Sequence, residues 1–202
     1  MTNRREFLHA AALAAVPIPV LADADERARR ASRSIAANPA LHAFLFDARH
    51  EESRIAGTGL ARAGAMVRAI ADGDVTRVWL RDIRPVWQDR PAALGGLTER
   101  AALFCLEQLG WAAGLRVAFH VEHRVYPDGH TEHALLRGTE SAGLSARDLE
   151  RAGPRWPTLV AAATVACAGP SPHACHGPSI AALAPELPPG ARLLTSWTLA
   201  PV

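Results

Sequence analysis

The chain has 202 residues, of which 22 are basic and 20 acidic, so its formal net charge at pH 7 is only +2. Such a small excess does not provide the basic stripe expected of nucleic-acid-binding proteins, and no nucleic-acid partner is predicted. Every basic residue is arginine. This excludes chemistry that needs a lysine amine, such as Schiff-base formation or phosphate binding by a P-loop.

The first 24 residues have the layout of an export signal. The pair Arg4-Arg5 is followed by Phe7-Leu8, and a short alanine-rich apolar segment runs to residue 21. Ala22-Asp23-Ala24 then has the small-x-small pattern that signal peptidase cleaves. The segment resembles a twin-arginine (Tat) signal. The resemblance implies export in the folded state by the Tat translocase, cleavage near Ala24 and a periplasmic location.

The alternative for this segment is an amphipathic helix at the start of a cytosolic protein. Pro17 and Pro19 argue against it, because each proline removes a backbone donor and clashes with the preceding turn. The segment is also shorter than the about 20 apolar residues of a membrane span, and no cysteine lies near Ala24 to carry a lipid. No stable membrane anchor is therefore predicted. Residues 25–40 form a charged, alanine-rich leader.

From residue 41 onward, strand and helix patterns alternate, which predicts a single α/β domain over residues 41–202 with a largely parallel sheet. Strands are predicted at 41–47, 65–70, 92–97 and 192–199, and helices at 51–62, after Asp74, up to 113 with Thr98 as the N-cap candidate, over 145–152 with a cap at Ser145, and after Pro157. The clearest strand, Leu115–Val125, is followed by the turn sequence Tyr126-Pro-Asp-Gly129. The chain is expected to turn back there, forming a β-hairpin from Leu115 to Arg137.

A polar run after the first strand is the leading candidate for a ligand site. It contains Asp47, Arg49 and His50, and open α/β sheets bind ligands outside the carboxyl ends of their strands. Arg49 would anchor an anionic group, and His50 with Asp47 would form a titratable pair. The alternative is that Glu51 and Glu52 suit the positive end of a helix and that Asp47 bonds to the turn.

Two glycine-rich stretches give weaker signals. Gly57, Gly59 and Gly64 do not follow a strand directly and lack the G-x-G-x-x-G spacing, so no nucleotide is expected. Small residues that allow close helix packing explain them better. The segment Gly95–Thr98 precedes a helix, whose free amides favour anions, but every capped helix shares this property.

Histidines and acidic residues cluster on the predicted hairpin: His120, His123, His130 and His133, with Glu122 and Glu132. A turn at 127–129 places Arg124 opposite Glu132, and this opposite-charge pair favours the register. His123 then faces His133 with about 5 Å between their Cβ atoms. Both are expected on the face that carries Val117, Phe119, Val121, Val125 and Leu135.

The pair His123 and His133 is the candidate metal site, with zinc or copper as possible ions. A pH-sensitive ligand contact is another possible role. The alternatives without a bound ion are an exposed hairpin whose histidines are merely polar, and histidines at the core edge with backbone partners.

Cys167 and Cys175 flank a proline-containing loop and are the candidate disulfide in an oxidising periplasm. His173 and His176 lie close by, but the spacing matches neither a zinc finger nor a haem attachment site. Cys105 is expected to be a small core residue on a helix.

Three functions stay open at this point, and the sequence does not decide whether the protein is an enzyme. The leading one is a Tat-exported periplasmic protein that binds a small anionic ligand or a partner protein at the run after the first strand. The second is a metal-dependent enzyme, a hydrolase or oxidoreductase, that uses the hairpin histidines. The third is an accessory subunit or assembly factor of another exported enzyme, which an exposed apolar patch near Trp79, Trp87 and Trp111 would favour.

Overall fold

A computed structural model describes residues 40–169 and 186–201. Within these ranges the strands are β1 (Leu41–Asp47), β2 (Val67–Ile70), β3 (Ala93–Glu99), β4 (Leu115–Val125), β5 (Thr131–Arg137) and β6 (Arg192–Pro201). The α-helices are α1 (Glu51–Arg62), α2 (Thr76–Val78), α3 (Arg84–Asp89), α4 (Arg100–Ala112), α5 (Ala146–Ala152) and α6 (Trp156–Ala166). A π-helical turn, Trp79–Ile83, joins α2 to α3, and a 3-10 turn, Gly153–Arg155, joins α5 to α6. The predicted export signal and leader, up to residue 39, and Cys175 lie outside the described ranges.

Most element boundaries agree with the sequence pattern. β1, α1, β4 and β5 begin and end at the predicted residues. Ser145 caps α5 as expected, since its side chain and that of Asp148 exchange the reciprocal hydrogen bonds of a capping box. Thr98 as a helix cap is wrong: β3 continues to Glu99, which is the N-cap of α4. Thr98 stays in the sheet, where its hydroxyl accepts a hydrogen bond from the Trp197 indole at 3.0 Å.

The strands form one mixed sheet in the order β2-β1-β3-β6-β4-β5. β1 runs parallel to β2 and β3, whereas β6 is antiparallel to β3 and β4, and β4 is antiparallel to β5. The α/β class is confirmed, but a largely parallel sheet is not. The reason is that β6 inserts between β3 and β4 against their direction, and that the hairpin can only add antiparallel strands.

Helices cover both faces of the sheet. α1, α5 and α6 pack on one face, here called the α1/α6 face, against residues such as Phe44 and Leu97. The α2–α3 segment and α4 pack on the other, the α4 face, against Leu45 and Trp197. Phe44 and Leu45 belong to different layers because successive strand residues point to opposite faces.

Two adjacent glycines in β3 leave room for neighbouring side chains on both faces of the sheet. A Cβ on Gly95 would collide with Thr164 Cγ2 of α6, and a Cβ on Gly96 would lie 2.6 Å from the Trp197 indole. Both glycines are buried inside the sheet. The weak anion-site signal of this stretch therefore has a packing explanation.

The predicted hairpin register is confirmed. The cross-strand pairs include Arg124 with Glu132 and His123 with His133, and the Tyr126 N–H donates to the His130 carbonyl at 2.9 Å. One detail differs from the expected pattern. A register shift between Val117 and Phe119 leaves Phe119 in the α1/α6 layer and places Val117 against the α4 layer.

Candidate functional site

The chain's topology creates a switch point between β1 and β3. β2 and β3 lie on opposite sides of β1. The connection from β1 to β2 passes through α1 on the α1/α6 face, and the connection from β2 to β3 passes through α2 and α3 on the α4 face. The two connections diverge there and open a crevice at the carboxyl ends of the strands, which is where α/β proteins bind ligands. Asp47 ends β1 and Glu99 ends β3, so both carboxylates lie at this crevice.

Four side chains meet at the crevice: Asp47, Arg49, His50 and Glu99, here called the switch-point cluster. Asp47 is fully buried and accepts three hydrogen bonds from Arg49. The backbone N–H and Nε donate to Oδ1, both at 3.0 Å, and Nη2 donates to Oδ2 at 2.6 Å. The same Nη2 lies 2.9 Å from Glu99 Oε2. One guanidinium thus bridges two carboxylates.

His50, the N-cap residue of α1, completes the cluster. Its Nε2 lies 3.1 Å from Glu99 Oε1 and 3.9 Å from Asp47 Oδ2. The side chain of His50 is 12% exposed and that of Glu99 40% exposed. The cluster therefore combines a buried carboxylate, Asp47, with an accessible one, Glu99. All three sequence-predicted residues come together, and Glu99 is the member that sequence reasoning missed.

The cluster carries two carboxylates and one guanidinium, so it has one excess negative charge when His50 is neutral. Burial raises the pKa of the Asp47 carboxyl, but the hydrogen bonds and charge of Arg49 outweigh burial and leave that pKa below its usual value. In return, hydrogen bonding to Asp47 raises the pKa of the Arg49 guanidinium. Asp47 is therefore ionised at neutral pH, and the crevice favours a cation over an anion.

Three of these side chains are arranged to share one metal ion. Asp47, His50 and Glu99 each offer a ligand atom, and these atoms lie within 4.8 Å of one another. Ligand atoms of a tetrahedral zinc site with bonds of about 2.1 Å are roughly 3.4 Å apart. Shifts of these side chains and displacement of Arg49 from the two carboxylates would bring the donors to bonding distance. The positively charged guanidinium of Arg49 contacts both carboxylates through Nη2, in the position that a bound metal ion would take.

Arg49 is expected from the sequence to anchor an anion, but its Nε and Nη2 donate to the protein's own carboxylates. Its side chain is 39% exposed, so solvent reaches part of the guanidinium. Gly73, in the loop after β2, packs directly on it, since a Cβ there would lie 2.5 Å from Nη2. The Nε–Nη2 edge can therefore bind an anion only after its bonds to Asp47 and Glu99 are broken.

The second sequence-predicted site, on the hairpin, is buried. His123 and His133 approach with their Nδ1 atoms 2.8 Å apart, and His123 Nε2 lies 2.8 Å from Ser196 Oγ on β6. Trp156, at the start of α6, stacks on His123 with ring centroids 4.2 Å apart. These four residues are called the histidine network. Both ring nitrogens of His123, which is fully buried, are hydrogen-bonded.

The histidine network is neutral at pH 7. Burial lowers the pKa of His123 well below its usual value, and the charges of His133 and His120 act in the same direction. Burial also lowers the pKa of His133 to about 4, with a smaller contribution from His130. A hydrogen bond between two neutral imidazoles uses one N–H and one lone pair. The two Nδ1 atoms are thus engaged with each other, and metal binding by this pair stays a prediction.

The other two hairpin histidines lie elsewhere. His120 pairs with Trp197 and so belongs to the α4 face, where burial lowers its pKa to about 4 and the charges of Arg100 and Arg137 add to the effect. His130 is exposed near the hairpin turn, where it stacks on the Tyr126 ring. The four histidines therefore do not converge on one point.

Glu99 of the switch-point cluster lies in one row with the histidine network on the α1/α6 face, whereas Asp47 pairs with Ile70 of the α4 layer. Glu99 pairs with Leu194, Leu194 pairs with His123, and His123 pairs with His133. Because adjacent strands are about 4.8 Å apart, the backbones at Glu99 and His123 are roughly 10 Å apart. Leu194, which lies between them, is fully buried. The sites are neighbours separated by an apolar side chain.

Cysteine and tryptophan positions test two further expectations. Cys105 is exposed on α4, so its placement in the core is wrong: the buried stripe of that helix contains Ala102, Leu103 and Leu106 and passes beside it. Cys167 is buried after α6. Its predicted partner Cys175 lies outside the described residues, as do His173 and His176, and the disulfide stays a prediction.

The tryptophan patch considered above is only partly exposed. Trp87 is buried and packs edge-on against Trp79 with ring centroids 5.5 Å apart. Trp111 is 51% exposed on α4, one heptad after Phe104, which is 61% exposed. A docking role for this helix surface stays a prediction.

Comparisons with protein-family models, with curated proteins and with solved structures found no match for this chain. In the part of the chain that the structure describes, every helix is too short or too polar to cross a lipid bilayer. A functional assignment therefore depends on the chemistry of the switch-point cluster.

Proposed function

We propose that the switch-point cluster binds a divalent metal ion, with Asp47, His50 and Glu99 as its protein ligands. The observation that carries this proposal is the convergence of one donor atom from each side chain within 4.8 Å. One imidazole and two carboxylates form a donor set that suits Zn²⁺. The excess negative charge and the location at a topological switch point support the same conclusion.

The position of the ligands suits a site that also takes a small molecule. Asp47 is buried, whereas Glu99 reaches solvent, so an ion between them would be accessible from one side. Zinc sites with three protein ligands keep a position for a further ligand, in contrast to the four-ligand sites that serve structure. The proposal therefore retains the small-ligand function expected from the sequence and changes the first ligand from an anion to a cation.

Calorimetric titration with Zn²⁺ tests the proposal. The protein should be purified without a histidine tag and treated with a chelator, which is then removed. We expect binding of about one Zn²⁺ per chain, with a Kd in the micromolar range or below. Glu99→Gln and His50→Ala should each weaken binding at least tenfold, because removal of one of three ligands costs well over about 1.4 kcal/mol.

The matched control is Asp82→Asn. Asp82 is also a carboxylate paired with an arginine, Arg68, at 3.1 Å, but it lies outside the cluster. Its substitution should leave zinc affinity unchanged. Equal affinity in the wild type, Glu99→Gln and His50→Ala would place any bound zinc elsewhere and refute the proposal.

We further propose, from the sequence alone, that the chain is a Tat substrate and works in the periplasm. Replacement of the arginine pair by Arg4→Lys and Arg5→Lys keeps the charge but removes the guanidinium groups that define the signal. Fractionation of cells that express each form should show mature protein in the periplasm for the wild type and precursor in the cytoplasm for the double variant. Equal periplasmic amounts would contradict this route.

A further inference from the structure

We propose that Arg49 is released when the metal ion binds, and that the released guanidinium then holds a small anionic ligand, so that the cluster takes a cation and an anion together. This inference rests on the metal site proposed above. It names a second ligand class, a carboxylate or a sulfate-like or phosphate-like dianion. It also assigns Arg49 a role that depends on the metal.

The hydrogen bonds of Arg49 support this coupling. Nε and Nη2 form the edge of a guanidinium that binds carboxylates and phosphates in a bidentate manner. That edge is held by Asp47 at 3.0 and 2.6 Å, and Nη2 is also 2.9 Å from Glu99. An anion must compete with two carboxylates of the protein itself. In the absence of a metal ion, Arg49 is therefore a poor anion site.

A metal ion removes this competition because it claims the same oxygens. Oδ2 of Asp47 lies within 3.9 Å of the His50 ligand nitrogen and is also the atom that Nη2 contacts. A divalent ion carries more charge than the guanidinium and repels it at such short range. The released side chain stays close, since its backbone N–H remains 3.0 Å from Asp47 Oδ1.

Charge counting leads to the same pairing. With a neutral His50, the cluster has a net charge of −1, and addition of a divalent ion makes it +1. The loaded site therefore favours an anion where the metal-free site does not. By linkage, an anion that binds better to the loaded site must raise the affinity for the metal by the same factor.

Titrations of Zn²⁺ in sulfate and in chloride, at matched ionic strength, test the coupling. For the wild type we expect at least fivefold tighter Zn²⁺ binding in sulfate, within the usual range of coupling between sites. The Arg49→Gln variant should bind Zn²⁺ more tightly than the wild type in chloride, because the competing charge is gone, and should lose the sulfate effect. Arg68→Gln, which removes a comparable arginine–aspartate pair outside the cluster, should behave like the wild type.

Each alternative outcome has a distinct meaning. An equal sulfate effect in the wild type and Arg49→Gln would mean that sulfate binds the metal without Arg49, and would overturn the inference. Sulfate binding of equal strength without Zn²⁺ would also overturn it, because Arg49 would then be free from the start. Zinc binding with no sulfate effect would refute the inference and leave the metal site standing. The absence of zinc binding would refute both proposals.

Discussion

The switch-point cluster and the histidine network are neighbours across β6, but they differ in what surrounds them. The cluster brings charges together: a buried Asp47 is neutralised by Arg49, and Glu99 reaches solvent. In the histidine network, His123 is stacked on Trp156 and has no exposed surface. Access and unbalanced charge favour ligand binding in the first region, whereas burial and neutrality favour a role in the core for the second.

The largest expected effect separates the two regions by stability. His123→Ala should destabilise the protein by about 3 kcal/mol, because it leaves a cavity beside Trp156 and removes the partner of Ser196. His50→Ala should lower the free energy of unfolding by at most about 1 kcal/mol, since its partner Glu99 can form hydrogen bonds with water instead. Urea unfolding of both variants measures the difference. Similar losses would mean that the cluster is as much a part of the core as the network.

Acid unfolding should distinguish the regions by pH window. Unfolded histidines bind protons near pH 6.5, whereas folded His133 does so only near pH 4. The unfolded state therefore binds more protons between these values, and stability should fall as the pH decreases from 6.5 to 4, with His133 alone accounting for up to about 3 kcal/mol. The pKa of folded Asp47 lies below 3.8, so its contribution is lost only below about pH 4.

Unfolding curves of His133→Gln and Asp47→Asn across this range assign the two windows. His133→Gln should reduce the slope between pH 6.5 and 4, while the lowered pKa values of His120 and His123 maintain the rest of it, and Asp47→Asn should leave that slope as it is. A wild-type stability that stays constant from pH 7 to pH 4.5 would contradict the assignment.

Within the cluster, the buried and exposed carboxylates should differ in their effect on stability. Asp47→Asn should destabilise the protein by about 2 kcal/mol, because Arg49 loses its charged partner at a fully buried position. Glu99→Gln should cost less than about 1 kcal/mol, since solvent replaces much of its interaction. Thermal unfolding compares the two. The reverse order would show that Glu99, rather than Asp47, is the anchor of the cluster.

The smallest expected effect probes the contact behind Arg49. Gly73 and Gly64 both have left-handed backbone, with φ of +75° and +86°, so alanine at either position costs about 1 kcal/mol. A Cβ at Gly73 also meets the guanidinium, whereas one at Gly64 has no atom within 4 Å. Gly73→Ala should therefore cost about 1 kcal/mol more than Gly64→Ala by urea unfolding. Equal losses would show that the Arg49 side chain moves away from the added methyl group with no loss of stability.

Local chemistry in the sequence predicts most of the elements. The apolar run 41–46 predicts β1, and Glu51 and Glu52 mark the first turn of α1. The hairpin register follows from the turn at 127–129 and the pair Arg124–Glu132. These signals act between residues that are close in the chain. The same holds for Asp47, Arg49 and His50, which a single strand end and loop bring together.

What the sequence does not predict depends on long-range pairing. The order of the sheet is set by where β6 inserts, and no local pattern specifies that it enters between β3 and β4. Glu99 is missed for the same reason, because only the β1–β3 pairing brings it to His50. The prediction of Thr98 as the helix cap also places Glu99 inside a helix rather than at the end of β3. Trp156 and Ser196 reach His123 through tertiary packing alone.

The central place of β6 has a consequence for synthesis. The strands on either side of it, β3 and β4, leave the ribosome well before residues 192–201 do, and until then each half of the sheet has an open edge that can pair with other chains. The sheet is therefore continuous only after β6 has paired with both of these strands. Deletion of β6 would leave β3 and β4 with unpaired edges and no strand to join the two halves of the sheet, so we expect it to prevent folding of the domain rather than to shorten it.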